Sequence, residues 1–126
     1  MNAPESFLAA ETHASYRPEK QITVDEAFDL VGAAIEFARE NQFERLLVDT
    51  TRLTGFGSPG VWQRFIMGKL FAEKAKSRVK VALVARTDLI DPERFGVLVA
   101  TNRGLLAEVF DSETDALRWL LEPGRR

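Results

Sequence analysis

The sequence predicts an α/β fold, with a mainly parallel sheet of four or five strands and about four helices. Short apolar runs without polar alternation, at residues 46–49, 79–85 and 106–110, indicate strands that are buried on both faces. Segments with apolar residues at helical spacing separate these runs. Such alternation of strands and helices implies parallel strands that are joined by right-handed crossover connections.

The composition fits a single domain with its own apolar core. The chain has 126 residues, of which 45% are hydrophobic, and we place one domain at residues 7–122, between a disordered end at 1–6 and a tail at 123–126. There is no cysteine, which excludes disulfides and thiolate metal sites. The net charge of −2 gives no electrostatic case for nucleic acid, and no apolar run is long enough to span a membrane. We therefore expect a cytoplasmic protein without a signal peptide, stable membrane insertion, bound metal or cofactor.

The amino-terminal part of the domain contains the clearest helix. Residues 7–16 are compatible with either one edge strand or a hairpin, and we interpret residues 17–20 as a turn because Pro18 fixes φ. Thr23 and Glu26 form a T-x-x-E capping box that predicts the start of a helix. The single apolar stripe of this helix consists of Ala27, Val31, Ala34, Ile35 and Ala38.

Three further helices are predicted from their caps. Ser58, followed by proline, predicts the start of a second helix that runs to about residue 76. Asp91, again followed by proline, predicts a third helix, although residues 97–99 are also compatible with a strand. Ser112 caps a fourth helix, whose inward-facing residues are Ala116, Leu117 and Leu120.

Function in an open α/β sheet is expected beyond the carboxyl ends of the strands, where this sequence has the loops 49–60, 85–92 and 110–112. The first loop is the most unusual, because its three glycines are spaced as G-x-G-x-x-G. We do not predict dinucleotide binding from this spacing. Residues 50–54 separate the strand from the first glycine, and the next strand ends in Ala85 rather than in an acid.

The start of the second helix has two interpretations. Ser58 can simply cap the helix, or the free amides of Gly60 and Val61 can form, with Ser58, a site for an anion. Asp49 ends a buried strand, and we interpret it as a structural acid that accepts hydrogen bonds from the loop amides of residues 51–53. Asp49 is therefore not expected to act as a ligand or a base.

No catalytic site is predicted. His13 is the only histidine and is expected on the surface, with no acid beside it in the sequence. The acids of loop 85–92 have a more ordinary role in capping a helix and complementing its dipole. The hydroxyls of Thr50, Thr54 and Ser58 lack an evident base. We therefore predict that the protein is not an enzyme.

The second helix carries apolar residues on more than one face, from Val61 to Ala72. Either this helix is buried almost all round, or one flank is an exposed apolar surface of the kind that marks a partner or ligand site. We predict that the apolar residues of this helix that lie outside the core include Trp62, Met67 and Phe71. The predicted partner or ligand surface consists of Thr54, Phe56, Ser58, Trp62, Met67 and Phe71.

The order of motifs resembles the bacterial SpoIIAA-like group of STAS-type domains, which is related in fold to the CRAL-TRIO lipid carriers. The likeness extends from about Ile22 to Leu121, and its most specific part is the ending from Val109 through Ala116 to Trp119. The resemblance implies a four- or five-stranded sheet with helices, no enzymatic activity and a role in protein–protein regulation.

In the anti-sigma-factor antagonists of this group, a serine at the start of the second helix is phosphorylated. The matching stretch here runs from Gly57 to Gly60, and Pro59 occupies the position that usually accepts the phosphate. The resemblance therefore does not imply a phosphoserine switch of the usual kind. Whether Thr50, Thr54 or Ser58 is modified stays open.

Two functions follow from these observations. The first is a non-catalytic regulatory or protein-interaction module that uses residues 54–60 and an exposed flank of the second helix to bind a protein partner or a second copy of itself. The alternative is a carrier or sensor of a small apolar, lipid-like ligand, held between the sheet and a movable helix.

Overall fold

The structure, a computed structural model, describes residues 3–123. Of the predicted disordered end and tail, positions 1, 2 and 124–126 lie outside the described residues. The elements in chain order are β1 Phe7–Ala9, β2 Ala14–Tyr16, β3 Lys20–Gln21, α1 Val24–Glu40, β4 Arg45–Asp49, β5 Leu53–Thr54, α2 Val61–Ala75, β6 Lys80–Val84, α3 Phe95–Asn102, β7 Ala107–Phe110 and α4 Glu113–Leu120.

The main sheet is mixed and has five strands in the order β1-β2-β4-β6-β7. The pairings β2–β4, β4–β6 and β6–β7 are parallel, whereas β1 runs antiparallel to β2. The two antiparallel strands form a hairpin, in which the Ala10 amide donates to the His13 carbonyl at 2.8 Å. The predicted α/β class with four helices is confirmed. The prediction of a mainly parallel sheet holds for the pairings from β2 to β7 but not for the β1 edge.

A small second sheet replaces two predicted irregular segments. Lys20 pairs with Leu53 and Gln21 with Thr54, so β3 and β5 form a short parallel ladder. The predicted turn at residues 17–20 is therefore wrong, because residues 17–19 form no turn and Lys20 already belongs to β3. Gly55 has a φ of 102° that favours glycine.

The helix ends follow local capping chemistry, with shifts in position. Thr23 and Glu26 form the predicted capping box at the start of α1. The helix α2 starts at Val61 with Gly60 as its N-cap, so the predicted start at Ser58 is early. The third segment is a helix rather than a strand, but it starts at Phe95 with Arg94 as its N-cap, so the predicted start at Asp91 is early. The Asp91 carboxylate still accepts the Phe95 amide, at 2.8 Å. Ser112 caps α4 as predicted.

Helices cover both faces of the sheet, which explains the apolar runs of β4 and β6. On one face, Leu46, Val48, Val81 and Leu83 belong to a core cluster that they share with α1 and α2. On the other face, Leu47, Ala82 and Val84 pack against Ala116 and Leu120 of α4. Each fully buried leucine or valine in these layers stabilises the fold by roughly 1.5–3 kcal/mol.

The helices α2 and α3 cross with their backbones in close contact. A Cβ atom added at Gly68 would lie 2.5 Å from the Gly96 carbonyl oxygen and 2.9 Å from the Val99 Cβ. A Cβ atom added at Gly96 would meet only the flexible end of the Met67 side chain at short range. Gly68 therefore sets the distance between α2 and α3, and with it the position of α2 above the sheet.

We expect Gly68→Ala to lower the free energy of unfolding by about 1–2 kcal/mol, because the clash with a backbone oxygen outweighs the gain in helix propensity. Gly57→Ala is the matched control, since a Cβ there meets no atom within 4 Å. The control should change the free energy of unfolding by less than about 0.5 kcal/mol. Urea unfolding of both variants tests the crossing, and a Gly68→Ala variant as stable as the wild type would contradict it.

Candidate functional site

A cavity with a volume of about 110 Å³ lies between the helices α1, α2 and α3 at the carboxyl ends of the strands. This is the end of the sheet at which the sequence predicts function. The cavity is enclosed from the side of the sheet by Leu83 of β6 and Val109 of β7, and from α1 by Phe28 and Val31. Its wall is therefore built mainly from the apolar faces that also form the core.

Two predicted surface residues of α2 line this cavity. Phe71 is only 4% exposed and packs edge-on against Phe28, with ring centroids 6.3 Å apart. The prediction that Phe71 lies outside the core is thus wrong, because α1 covers its side chain. Met67 is half-buried and packs against the same core. Both residues contact the cavity rather than a partner surface.

Loops close the mouth of the cavity. Phe56 and Pro59 contribute from the predicted 49–60 loop, Leu89 contributes from the end of a short 3-10 helix at Thr87–Leu89, and Ile90 follows that helix. Of these residues, the sequence predicted only Phe56 as part of a ligand surface. Loop residues of this kind have fewer fixed neighbours than strands and helices, so the mouth is the part of the cavity most able to move.

Polar groups in the cavity wall already have partners within the chain. The Thr50 hydroxyl donates to the Val84 carbonyl at 2.8 Å. The Asp91 carboxylate accepts the amides of Phe95 and Glu93, and the hydrogen bond from Phe95 is the main cause of its lowered pKa. No buried side-chain nitrogen or oxygen in residues 3–123 lacks a hydrogen-bond partner. The interior is therefore suited to apolar rather than reactive contacts.

Two arginines that the sequence analysis missed reach the wall of the cavity. Arg64 donates from Nε to the Pro59 carbonyl at 3.0 Å, and from Nη2 to the Ser58 hydroxyl at 2.8 Å and the Leu89 carbonyl at 3.2 Å. It thereby joins the two loops of the mouth. Arg94 has a positive φ of 54° and is ion-paired to Glu108 at 2.6 Å.

The predicted anion site at the start of α2 is largely occupied by these contacts. The Ser58 hydroxyl accepts from Arg64 and does not cap the helix. The Gly60 amide donates to the Gln63 side chain at 2.9 Å. Both groups are thus engaged within the chain, and Val61 is exposed.

The amino-terminal half of α2 presents an apolar surface to solvent. Val61 is 72% exposed, Trp62 is 71% exposed and Ile66 is 41% exposed. The Trp62 ring stacks on Phe65 with centroids 5.4 Å apart, and the Arg103 guanidinium lies 5.3 Å from the Phe65 ring. Trp62 therefore lies outside the core, as predicted. Thr54, also predicted on this surface, is exposed within β5.

Asp49 lies on the opposite face of the sheet, toward α4. Its Oδ1 accepts the Thr51 amide at 2.9 Å and the Thr51 hydroxyl at 2.6 Å, in the structural role that the sequence predicted. The Leu53 amide donates instead to the Thr50 carbonyl. The carboxyl is only 7% exposed.

A salt bridge that the sequence analysis did not predict adjoins Asp49. Arg17 donates from Nε and Nη2 to the two carboxylate oxygens of Glu113, each at 2.8 Å, and its Nη1 donates to the Ser15 hydroxyl. Burial, followed by the hydrogen bond with Glu113, raises the pKa of Asp49. The hydrogen bond from Arg17, followed by that from Asp49, lowers the pKa of Glu113 to about 2. The ion pair of Arg17 and Glu113 beside Asp49 therefore connects the ends of β2 and β4 to the start of α4.

The remaining titratable candidates do not assemble into a reactive group. His13 is half-buried at the amino end of β2, and its Nδ1 is 3.0 Å from the Thr12 hydroxyl. Asp88 is exposed beside Arg86. Within residues 3–123, no three histidines, cysteines or acids are placed to hold a metal ion. No described helix has the length and apolar character that crossing a membrane requires.

Comparison of the chain with protein-family models and with curated proteins finds no match to either.

We expect Glu113→Gln to destabilise the protein at neutral pH but not near pH 2. The pKa of Glu113 lies below its ordinary value of 4.5, so its stabilising contribution is complete above pH 4.5 and is lost as pH falls to about 2. Asp49 acts in the opposite sense, since its raised pKa means that folding favours its protonated form. The measurement is the free energy of unfolding of both proteins across this range.

The exposed acid Glu73 provides the control, as Glu73→Gln removes the same charge from the surface of α2. The stability difference between Glu113→Gln and the wild type should shrink on acidification, whereas the Glu73→Gln difference should stay small throughout. A Glu113→Gln difference that is constant with pH would show that the ion pair with Arg17 contributes nothing to folding.

Proposed function

We propose that this protein is a non-catalytic module that binds a small, mostly apolar ligand between α1, α2, α3 and the carboxyl ends of the strands. The observation that carries this proposal is the cavity of about 110 Å³. Protein interiors are close-packed and leave few voids larger than a water molecule. The space is apolar, opens to solvent at its mouth and lies at the end of the sheet where α/β folds bind ligands, and these properties support a small apolar occupant.

The size and lining of the cavity limit the occupant. Benzene, with six non-hydrogen atoms, fills an engineered apolar cavity of ~150 Å³, so the space here suits about four or five non-hydrogen atoms, with any further part of the ligand at the mouth. The apolar wall formed by Phe28, Met67 and Phe71 favours a hydrocarbon group. Catalysis is not supported, because the hydroxyls and acids of the wall lack a nucleophile–base pair.

Membership of the SpoIIAA-like group of STAS-type domains is part of the proposal. The observed sheet of five strands with four helices supports it, as does the position of the helix α2 after a glycine-containing loop. The relation of that group in fold to the CRAL-TRIO lipid carriers agrees with an apolar ligand.

A series of neutral 1-alkanols from propanol to octanol tests the proposal. Each methylene that enters the cavity should tighten binding about fourfold, from ~0.8 kcal/mol per buried CH₂. We expect the affinity to stop rising once the chain fills the space, at about pentanol. Dissociation constants from NMR titration measure this, and a series that shows no saturable binding would contradict the proposal.

Two alanines of α1 supply matched variants. Ala27 is 4% exposed and lines the cavity, whereas Ala33 is exposed on the same helix. Ala27→Leu should fill part of the cavity and weaken hexanol binding, and Ala33→Leu should leave it unchanged. Because Ala27→Leu could overpack the core, Val31→Ala serves as a second variant. It enlarges the cavity and should shift the preferred alkanol to a longer chain.

A protein-interaction module is the second candidate, and the exposure of the amino-terminal half of α2 favours it. Val61 and Trp62 are each more than 70% exposed and adjoin Phe65 and Ile66. Tryptophan is enriched in interfaces, and contiguous exposed apolar surface commonly marks one. In its simplest form the partner is a second copy of the same chain, joined through this helix.

We expect Trp62→Gln to weaken self-association while changing the free energy of unfolding by less than about 0.5 kcal/mol, because the side chain is largely in water. Sedimentation equilibrium over a wide concentration range measures the first quantity, and urea unfolding the second. If the wild-type protein stays monomeric at every concentration, the proposal that the partner is a second copy of the chain is contradicted.

A further inference from the structure

We propose that the ligand carries a carboxylate head, bound by Arg64 at the mouth of the cavity, on an apolar tail that enters it. This inference rests on the proposed function and adds the chemical class of the ligand: a short- or medium-chain monocarboxylate. Arg64 is half-buried, lies in the cavity wall and belongs to the helix α2 that forms one side of it.

Arg64 carries a positive charge that no direct ion pair among the described residues neutralises. All of its hydrogen bonds go to neutral oxygens: two backbone carbonyls and the Ser58 hydroxyl. It forms no ion pair with an acid among residues 3–123. Its Nη1 also donates to no atom in this part of the chain, so two N–H groups are available. A half-buried cation in an apolar wall is stabilised by an anion.

The neighbouring charges single out Arg64. The other arginine of the wall, Arg94, is already neutralised by Glu108 at 2.6 Å and also donates to the Val109 carbonyl. Asp91 is the nearby acid, and the positive charge of Arg64 contributes to its lowered pKa. The two side chains form no direct ion pair, and the carboxylate oxygens of Asp91 accept the backbone amides of Glu93 and Phe95. Neither residue therefore competes for the free edge of the Arg64 guanidinium.

Carboxylate and guanidinium groups match in chemistry and shape. Charge-assisted hydrogen bonds between them are shorter and about twice as strong as neutral ones. The cavity accepts a tail of about four or five non-hydrogen atoms, so hexanoate places its five-carbon tail inside and its carboxylate head at the mouth. The neutral alcohol 1-hexanol keeps the same five-carbon tail and replaces the carboxylate by an uncharged CH₂OH group.

Hexanoate and 1-hexanol at neutral pH are the probes, and NMR titration gives the dissociation constant of each. We expect wild-type protein to bind hexanoate about tenfold more tightly than hexanol. Arg64→Gln should reduce the ratio of hexanoate affinity to hexanol affinity to about one, while unchanged hexanol binding would show that the cavity is intact. Arg64→Lys, which keeps the charge but not the planar fork, should give an intermediate ratio. Arg103→Gln removes a positive charge near α2 but outside the cavity, and should keep the full ratio.

The outcomes separate this inference from the proposed function. If neither probe binds wild-type protein, the proposed function fails. If hexanol binds as tightly as hexanoate, or if Arg64→Gln weakens both probes equally, the cavity is a binding site but the carboxylate assignment is overturned. Loss of the ratio in Arg103→Gln would also overturn it, because the preference would then come from general charge.

Discussion

The backbone contact between α2 and α3 divides α2 into two halves with different roles. At Gly68 the helix approaches Gly96 so closely that no side chain fits between them. All buried residues of α2 lie at or after this point, namely Gly68, Phe71, Ala72 and Ala75. The half before the contact is held by α3 and by loops instead of by the sheet. Both the cavity beneath this half and the apolar surface above it follow from that division.

Arg64 stands at the centre of the less tightly packed half. One guanidinium joins the loop at Ser58 and Pro59 to the segment at Leu89, and these two loops form the mouth of the cavity. Trp62 lies on the same turn of the helix and faces solvent. A ligand head that binds Arg64 would therefore contact the same side chain that holds the two loops of the mouth together. The two candidate functions share this one element of the structure.

Much of the fold is predictable because its signals are local. A capping box starts a helix through contacts between neighbouring residues, and the box of Thr23 and Glu26 is present in the structure. The apolar runs without alternation at β4 and β6 likewise predict buried strands, and both strands are present. The predicted start of α2 is wrong for a local reason as well, since a serine before a proline is usually a good helix cap. Here the Ser58 hydroxyl accepts instead from the side chain of Arg64, in the first turn of α2.

The candidate site is less predictable because it depends on tertiary contacts. No spacing in the sequence shows that α1 covers Phe71, or that Leu89 faces the loop at Phe56 across a cavity. The bridge from Arg17 to Glu113 joins residues 96 positions apart. Arg64 falls in a polar edge of α2 that a helical projection assigns to solvent. Its significance becomes visible only once the surrounding charges are placed.

The most direct test of the account is a map of where a small apolar molecule binds. Methyl NMR spectra of the protein with saturating 1-hexanol report this, because leucine and valine methyls lie on both faces of the sheet. We predict shifts confined to cavity residues such as Val31, Leu53 and Leu83, with Leu47 and Leu120 beneath α4 unchanged. Shifts at Val61 on the exposed surface of α2 without shifts in the cavity would contradict the central claim.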